Sequence, residues 1–551
     1  MSASSKKKLR KEQNTAAMTE KQQTEQKEAK TLKRYTLTFV IAMILVVAIA
    51  IGTFLRLPIS GAIDRGSHAI TVGGYELSTT DLSYYYIDAV NDHYNQAYQM
   101  YGGYAQYFLG FTTGKPLNQQ SYTASEDFKT WADYFMDKGI KNAQTIYGLY
   151  IDALKNGHKL SEEEQKSLDS TTDNLKMMAS YYGYSSANAY LRSFYSDSAN
   201  TKTYNEYVKI NTIANSYYNA HSDSLEYDDA ALRAYEKDKY HNYSSFTYAT
   251  YTITVKNYLE GDNKDSSGNV VYTDEQWEAA RAKAKADAEN LGGRSFLNVD
   301  SFNTAIRLLE INKKNTKAAC TEVEDAFYSS ISNEDLQKWL SDANREKKDV
   351  GTITVMETTT DKDGKKTDQV SSYIIVYFQG RNENKTNLVD VQHILIRFKE
   401  GKTDPTTGAV IYSDEQKNKA KLEAEKLLNE WKAGAATKES FAALAKEKSE
   451  DDGSKENGGL YEDIYPGQMV EAFNDWCFDE ARKPGDTGLV ETNYGWHVMY
   501  FVETNEVTYR DYLLEIDLRN DEMTEWNEGL TKTVTVEKID LSRMEWDYKF
   551  G

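Results

Sequence analysis

Val391-Gln-His-Ile-Leu-Ile396 and, about a hundred residues later, Tyr494-Gly-Trp-His-Val-Met-Tyr-Phe501 decide how this chain is read. Both segments are rich in β-branched and aromatic residues and read as strands. Each carries one histidine, in a chain of 551 residues with only seven. Between them lie Gly458-Gly-Leu460, Pro466-Gly-Gln-Met469 and Phe473. Two histidines on neighbouring strands, beside a glycine-rich loop and apolar side chains, can act as acid and base, as metal ligands or as a hydrogen-bonded pair. Metal ligation needs a third ligand. Asp451 is the candidate, but no pair of ligand types has metal-site spacing. Ser449 and Cys477 lack the strand–turn–helix context of an activated nucleophile.

Upstream, the sequence repeats itself. Ile253-Thr-Val-Lys-Asn-Tyr-Leu-Glu-Gly261 parallels His393-Ile-Leu-Ile-Arg-Phe-Lys-Glu-Gly401. Tyr272-Thr-Asp-Glu-Gln276 parallels Tyr412-Ser-Asp-Glu-Gln416, and an Ala/Lys/Glu-rich helix is expected after each. Trp339 to Arg345 then parallels Trp476 to Arg482, and Tyr373 to Phe378 parallels Trp496 to Phe501. Two tandem copies of one β/α unit are expected, at 243–382 and 388–504. In this alignment Ile253 stands opposite His393 and Ile374 opposite His497, and the first copy has no Gly-Gln-Met loop. A unit that keeps the pattern without the histidines does not need them to fold, so a chemical role for them is expected in the second copy.

Residues 388–504 resemble a parvulin-type peptidyl-prolyl cis-trans isomerase. The resemblance rests on His393-Ile-Leu, Phe441 to Ser449, Gly458-Gly-Leu460, Gly467-Gln-Met469 with Phe473, Lys483-Pro-Gly485 and Gly495-Trp-His497, in that order. It implies a four-stranded antiparallel sheet surrounded by helices. It implies a paired-histidine centre of His393 and His497, with Asp451 beside the rotating imide and Thr492 and Tyr494 in the same hydrogen-bond network. It implies a proline pocket of Leu460, Met469 and Phe473. Isomerisation breaks no bond, so no metal, cofactor or covalent nucleophile is expected. The loop from Leu460 to Gly467 is one residue longer than in many parvulins, which leaves the pocket width open. Lys399 to Asp414 lacks a basic cluster, so phosphorylated substrates are not expected.

The rest of the chain sets the context. Residues 1–34 hold ten Lys and Arg against four Glu, with no apolar periodicity, and read as a cytoplasmic disordered tail. Tyr35 to Leu55 are 21 residues without a charge. As a helix they span about 31 Å, enough for a bilayer core of about 30 Å. A transmembrane helix is therefore expected at 35–57. The basic flank keeps the N-terminus inside, so the bulk of the chain is expected to be extracytoplasmic in a bacterium. A cleaved signal peptide is the rival reading, but the apolar run exceeds the usual length of about 7–15 residues. Net charge is −20, and the body beyond the tail is more acidic still, which excludes ordinary nucleic-acid binding. The two cysteines fall in different expected domains and are not expected to pair.

A short hairpin is read at 69–77 and an all-helical domain at 66–242, with helices at 126–157, 161–182, 186–196, 202–219 and 227–240. The tyrosine stripes of this domain are expected to be mostly core, with the remainder lining a surface for unfolded peptide. A helix at 507–530 and a strand at 534–541 make a C-terminal segment, 505–551, expected to pack on the helical domain. The whole is read as an α+β multidomain foldase similar to exported SurA- and PrsA-type proteins: a helical chaperone domain and two tandem parvulin-like domains behind one membrane helix. Its expected partners are unfolded exported polypeptides containing X-Pro bonds. The alternatives are a non-catalytic holdase and an envelope scaffold with a vestigial isomerase site.

Overall fold

The computed structural model describes residue 43 and residues 60–547, apart from 238, 262–263, 265–266, 268–269, 312–316 and 361–365. The expected tail at 1–34 lies outside the described residues, as does the expected membrane helix, Met43 apart. Among the described residues no helix is long and apolar enough to cross a membrane. The fold mixes helix and sheet in two compact units: residues up to 226 together with those from 521 onward, and residues 227–520.

The first unit is built on two long helices, Thr79–Tyr101 and Trp131–Lys155. Each begins at a capping box, Ser78 with Asp81 and Thr130 with Asp133, which satisfies backbone N–H groups that a helix start leaves unpaired. The helices approach closely because position 139 is glycine; a Cβ there would fall 2.9 Å from the carbonyl oxygen of Tyr85. Tyr84, Tyr85, Tyr86 and Tyr147 are core. Tyr98, Tyr104 and Tyr107 are exposed, so the tyrosines divide between interior and surface. The helix read at 161–182 is two helices, Glu162–Asp169 and Thr171–Tyr181, joined at Ser170. The unit is also not all helical. Ile70–Val72 pairs on one side with Tyr75–Leu77 and on the other with Val536–Lys538, making a three-stranded antiparallel sheet. Val534 and Met544 join the core of this unit.

The second unit holds two four-stranded antiparallel sheets. The first contains β1 (Ser245–Thr254), β2 (Thr321–Phe327), β3 (Val350–Thr360) and β4 (Lys366–Asn382), in the order β2-β1-β4-β3. The second contains β5 (Asn387–Arg397), β6 (Leu460–Ile464), β7 (Thr487–Glu491) and β8 (Gly495–Thr508), in the order β6-β5-β8-β7. The connectivity is the same. So are several local devices. Arg345 lies 3.7 Å over the Trp339 ring and donates Nε–H to its carbonyl at 3.1 Å. Arg482 lies 4.2 Å over Trp476 and makes the same bond at 3.1 Å. Gln276 and Gln416 cap their helices and reach back to the carbonyls of Glu260 and Glu400, at 2.8 and 2.6 Å.

The register corrects one expectation. Val350 pairs with Tyr377 as Thr487 pairs with Tyr500, so β4 and β8 align as read. On the neighbouring strands, however, Thr250 pairs with Val376 where His393 pairs with Met499. Thr250, not Ile253, therefore occupies the place of His393. The cause is a 3-10 turn, Val255–Tyr258, that follows β1 and uses up residues which the sequence comparison laid along the strand. Ile374 does occupy the place of His497.

A buried arginine ties this unit together at the junction of its segments. Arg510 is 1% exposed and its guanidinium is paired with Glu236. It also donates to the carbonyls of Tyr240, at 2.6 Å, and Glu383, at 3.1 Å. Removing one member of such a pair strands the other charge in the interior, at a cost of about 3–5 kcal/mol. Arg510→Met is therefore expected to lower the unfolding free energy of this unit by that amount, measured by urea unfolding. Unchanged stability would show that the pair is not structural.

Candidate active site

β5 and β8 lie side by side, and their register sets the chemistry. His393 pairs with Met499 and Leu395 with His497, so the two histidines sit diagonally on one face of the sheet. They are 3% and 5% exposed. Their Nδ1 atoms are 3.0 Å apart, and the rings stack with an interplanar angle of 22°.

Each ring's second nitrogen is also engaged. His393 Nε2 lies 2.9 Å from Asp451 Oδ2 and 3.0 Å from Ser454 Oγ. His497 Nε2 lies 2.9 Å from Thr492 Oγ1, which accepts the backbone N–H of Tyr494 at 3.1 Å. Asp451 is placed by the chain entering it. Ser449 ends the helix Lys438–Lys448, its Oγ accepts Leu395 N–H at 3.2 Å, and Glu450 N–H donates to the Leu395 carbonyl at 2.9 Å. Ser454 and Tyr461 donate to the same carboxylate oxygen, at 2.5 and 3.0 Å. Gly459 lets the backbone pass close behind: its φ is +75°, and a Cβ there would fall 2.1 Å from the carbonyl oxygen of His393.

Electrostatics follow from these contacts. The hydrogen bond from His393, with those from Ser454 and Tyr461, holds the Asp451 carboxyl well below the ordinary carboxylate range despite partial burial. Burial, reinforced by neighbouring His393, lowers His497 to about 3, so that ring is neutral at physiological pH. Because His497 is neutral it has one proton to place, and the two ends of the chain decide where. Asp451 can only accept, so His393 donates to it from Nε2, and with Thr492 donating at the other end His393 Nδ1 is the acceptor. His497 then carries its proton on Nδ1 and accepts from Thr492 at Nε2. Every donor in the chain points toward Asp451. Burial pushes the Cys477 thiol up to about 12, so it supplies no thiolate.

A cavity of about 390 Å³ opens over this network. Met469, Val470 and Phe473 form its apolar side, and His393, His497, Asp451 and Tyr461 its polar side. Phe473 meets both imidazoles edge-on, at 5.5 and 5.3 Å. Of the residues singled out in the sequence, the structure brings His393, His497, Asp451, Met469, Phe473 and Tyr494 to the cavity, and Thr492 into the network behind it. Leu460 does not line it. It heads β6, paired with Gln392, and its neighbour Tyr461 takes the cavity side because successive strand residues face opposite ways. Sequence reading missed Tyr461 and Ser454. The only hint of Ser454 was its place three residues after Asp451, in a turn held by Lys455 N–H on the Asp451 carbonyl. Within the loop read as long there is a β-bulge: between Tyr461, opposite Val391, and Ile464, opposite Val389, β6 carries one residue more than β5.

Residues 373–505 match the family described as PPIC-type PPIASE domain. Over 87 residues the chain is 40% identical to foldase protein PrsA 3 of Bacillus anthracis, covering 15% of this chain and 29% of that protein. Over 86 residues it is 42% identical to chaperone SurA of Chromohalobacter salexigens, covering 15% of this chain and 19% of that protein. The similarity thus spans less than a third of either relative's length. The crystal structure of PrsA from Bacillus subtilis aligns with 75% of this chain and 90% of its own, at 14% identity and a TM-score of 0.23. The chain carries a parvulin-type peptidyl-prolyl isomerase domain and is similar, over part of its length, to the PrsA and SurA foldases.

Proposed function

We propose that this protein is a membrane-anchored, extracytoplasmic foldase that isomerises X-Pro bonds in unfolded exported polypeptides. The observation that carries the reading is the hydrogen-bond chain from Thr492 through His497 and His393 to Asp451, lying under a cavity whose other side is apolar. The barrier to be lowered is about 20 kcal/mol of amide resonance. A prolyl ring fits against Met469, Val470 and Phe473. Asp451 Oδ1 has no hydrogen-bond partner among the described residues and is the oxygen left to face the imide. A planar imide places negative charge on its carbonyl oxygen and loses that charge on twisting. A fixed carboxylate beside it disfavours the planar form more than the twisted one, which is selective binding of the transition state. In this reading His393 and His497 orient and hold the carboxylate, and no proton is transferred to the substrate.

The one basic side chain lining the cavity among the described residues, Arg397, is already paired with Asp452 at 3.2 Å, and Lys399, two residues on, is paired with Glu450 at 2.6 Å, which argues against phosphorylated substrates. We read the first sheet as a degenerate copy of the isomerase unit, since Thr250 and Ile374 stand where the histidines would be. A chaperone role for the helical unit is supported by Tyr98, Met100, Tyr104, Tyr107 and Phe108, which are exposed together near the end of the helix Thr79–Tyr101. The same cluster favours the second reading, a holdase without catalysis.

Three measurements test these readings. Asp451→Ala is expected to lower kcat/KM for a proline peptide by about 10²-fold in a protease-coupled assay, with aggregation suppression unchanged. Equal turnover in wild type and variant would leave only the holdase. For acid stability the sign is fixed by His497. Its folded value lies below its ordinary 6.5, so the unfolded chain takes up the proton first as pH falls. Stability is then fully present above pH 6.5 and is lost toward pH 3, by up to about 1.4 kcal/mol per pH unit. Urea midpoints between pH 7 and 4.5 are expected to fall less steeply in His497→Ile than in wild type, and equal slopes would contradict the assignment. For anchoring, full-length protein is expected to stay in the membrane pellet after alkaline carbonate extraction, and a variant lacking residues 35–57 to be released. Release of both would remove the anchor.

A further inference from the structure

The cavity wall is held from outside the sheet that carries the histidines. Its apolar side begins at a tight turn, Tyr465-Pro-Gly-Gln468, that leads into Met469 and Val470. Gln468 N–H donates to the Tyr465 carbonyl at 3.1 Å, and Tyr465 N–H donates to Gln468 Oε1 at 3.0 Å. Gly467, at φ +85°, occupies the position where a proline-led turn of this kind needs a left-handed residue, and its N–H is fixed to Asn474 Oδ1 at 2.7 Å. Hydrogen bonds at both ends of the turn tie Tyr465 to Gln468. Whatever holds Tyr465 therefore holds Gln468 and Met469.

Tyr465 packs in neither hydrophobic core of the second sheet. Its ring lies flat on Tyr509, with centroids 4.4 Å apart and an interplanar angle of 0°. Tyr509 is buried, and its N–H donates to the Thr386 carbonyl at 2.8 Å. Tyr509 also meets Phe327 edge-on, at 6.0 Å and 89°. Phe327 is the last residue of β2, in the first sheet. Arg510, the buried tie of this unit, is the next residue along from Tyr509. A line of three rings thus runs from the sheet without histidines to the wall of the cavity with them.

We propose that the Phe327–Tyr509–Tyr465 stack positions the Gln468–Met469 wall, so that the first sheet sets how tightly the proline pocket closes. This rests on the isomerase reading above. The three rings are positioning residues, since none of them lines the cavity. A wall that grips the prolyl ring touches planar and twisted imide alike, so loosening it removes binding common to both. Such a loss raises KM and spares kcat, whereas loss at Asp451 lowers kcat.

The test uses full-length protein with Tyr465→Ala, Phe327→Ala and Tyr465→Phe, assayed with a proline tetrapeptide. Tyr465 lies on a half-buried loop, so its variants are expected to fold even where Phe327→Ala perturbs the first sheet. Tyr465→Ala and Phe327→Ala are expected to raise KM by about fivefold with kcat within about twofold of wild type, and Tyr465→Phe to restore the wild-type KM. The methyl NMR signal of Met469 in the free protein is expected to shift in both alanine variants and not in Tyr465→Phe. An unchanged KM and an unmoved Met469 signal in Tyr465→Ala would overturn the proposal, as would a fall in kcat at constant KM. Wild-type protein without turnover would overturn the isomerase reading instead, and the Met469 signal would still decide whether the stack positions the wall.

Discussion

Two imidazoles that face each other through their Nδ1 atoms can share only one proton, and the rest of the site follows from that constraint. His393 and His497 are buried at 3.0 Å in this arrangement. One nitrogen must donate and the other accept. The choice is made at the far ends of the pair, where Asp451 can only accept and Thr492 has a proton to give. The donors hold the Asp451 carboxyl ionised against partial burial, and a buried imidazole without an acceptor would leave an unpaired N–H. The network is therefore satisfied as a whole or not at all.

The scaffold that enforces this is ordinary sheet geometry. Adjacent antiparallel strands put the two rings diagonally on one face, Gly459 lets the crossing backbone come close enough, and the Ser449 hydroxyl locks the approach to Asp451 onto β5. The first sheet repeats the strand order, the Trp–Arg stack and the glutamine cap, yet puts Thr250 and Ile374 at the histidine positions. The scaffold and the chemistry are thus separable. Thr250 and Ile374 place no pair of ring nitrogens in the sheet, so that face has no histidine protons to order.

Much of this was legible in the sequence because strands, glycines and capping boxes leave local signatures. The two histidines, Met469 and Phe473 were readable as one site because each falls in a motif of fixed order, and Asp451 because it closely follows the segment Phe441 to Ser449. The bulge between Tyr461 and Ile464 was not legible, because a bulge depends on the partner strand. Leu460 was assigned to the pocket and Tyr461 overlooked for a related reason: in a strand one residue's shift reverses the face, and motif spacing does not reveal which face is inward. The pairing of His393 with Ile253 failed because the comparison assumed unbroken strand where the chain turns at Val255–Tyr258. The third strand of the small sheet, Val536–Lys538, lies hundreds of residues from its partner, and no local pattern announces such a pairing.

The most direct test of the central claim is the tautomer of each histidine, read from two-bond proton–nitrogen correlations in protein with labelled imidazoles at pH 7. An Asp451-anchored chain predicts neutral His497 protonated at Nδ1 and unprotonated at Nε2, with His393 protonated at Nε2. His497 found protonated at Nε2, or at both nitrogens, would reverse the chain and contradict the account.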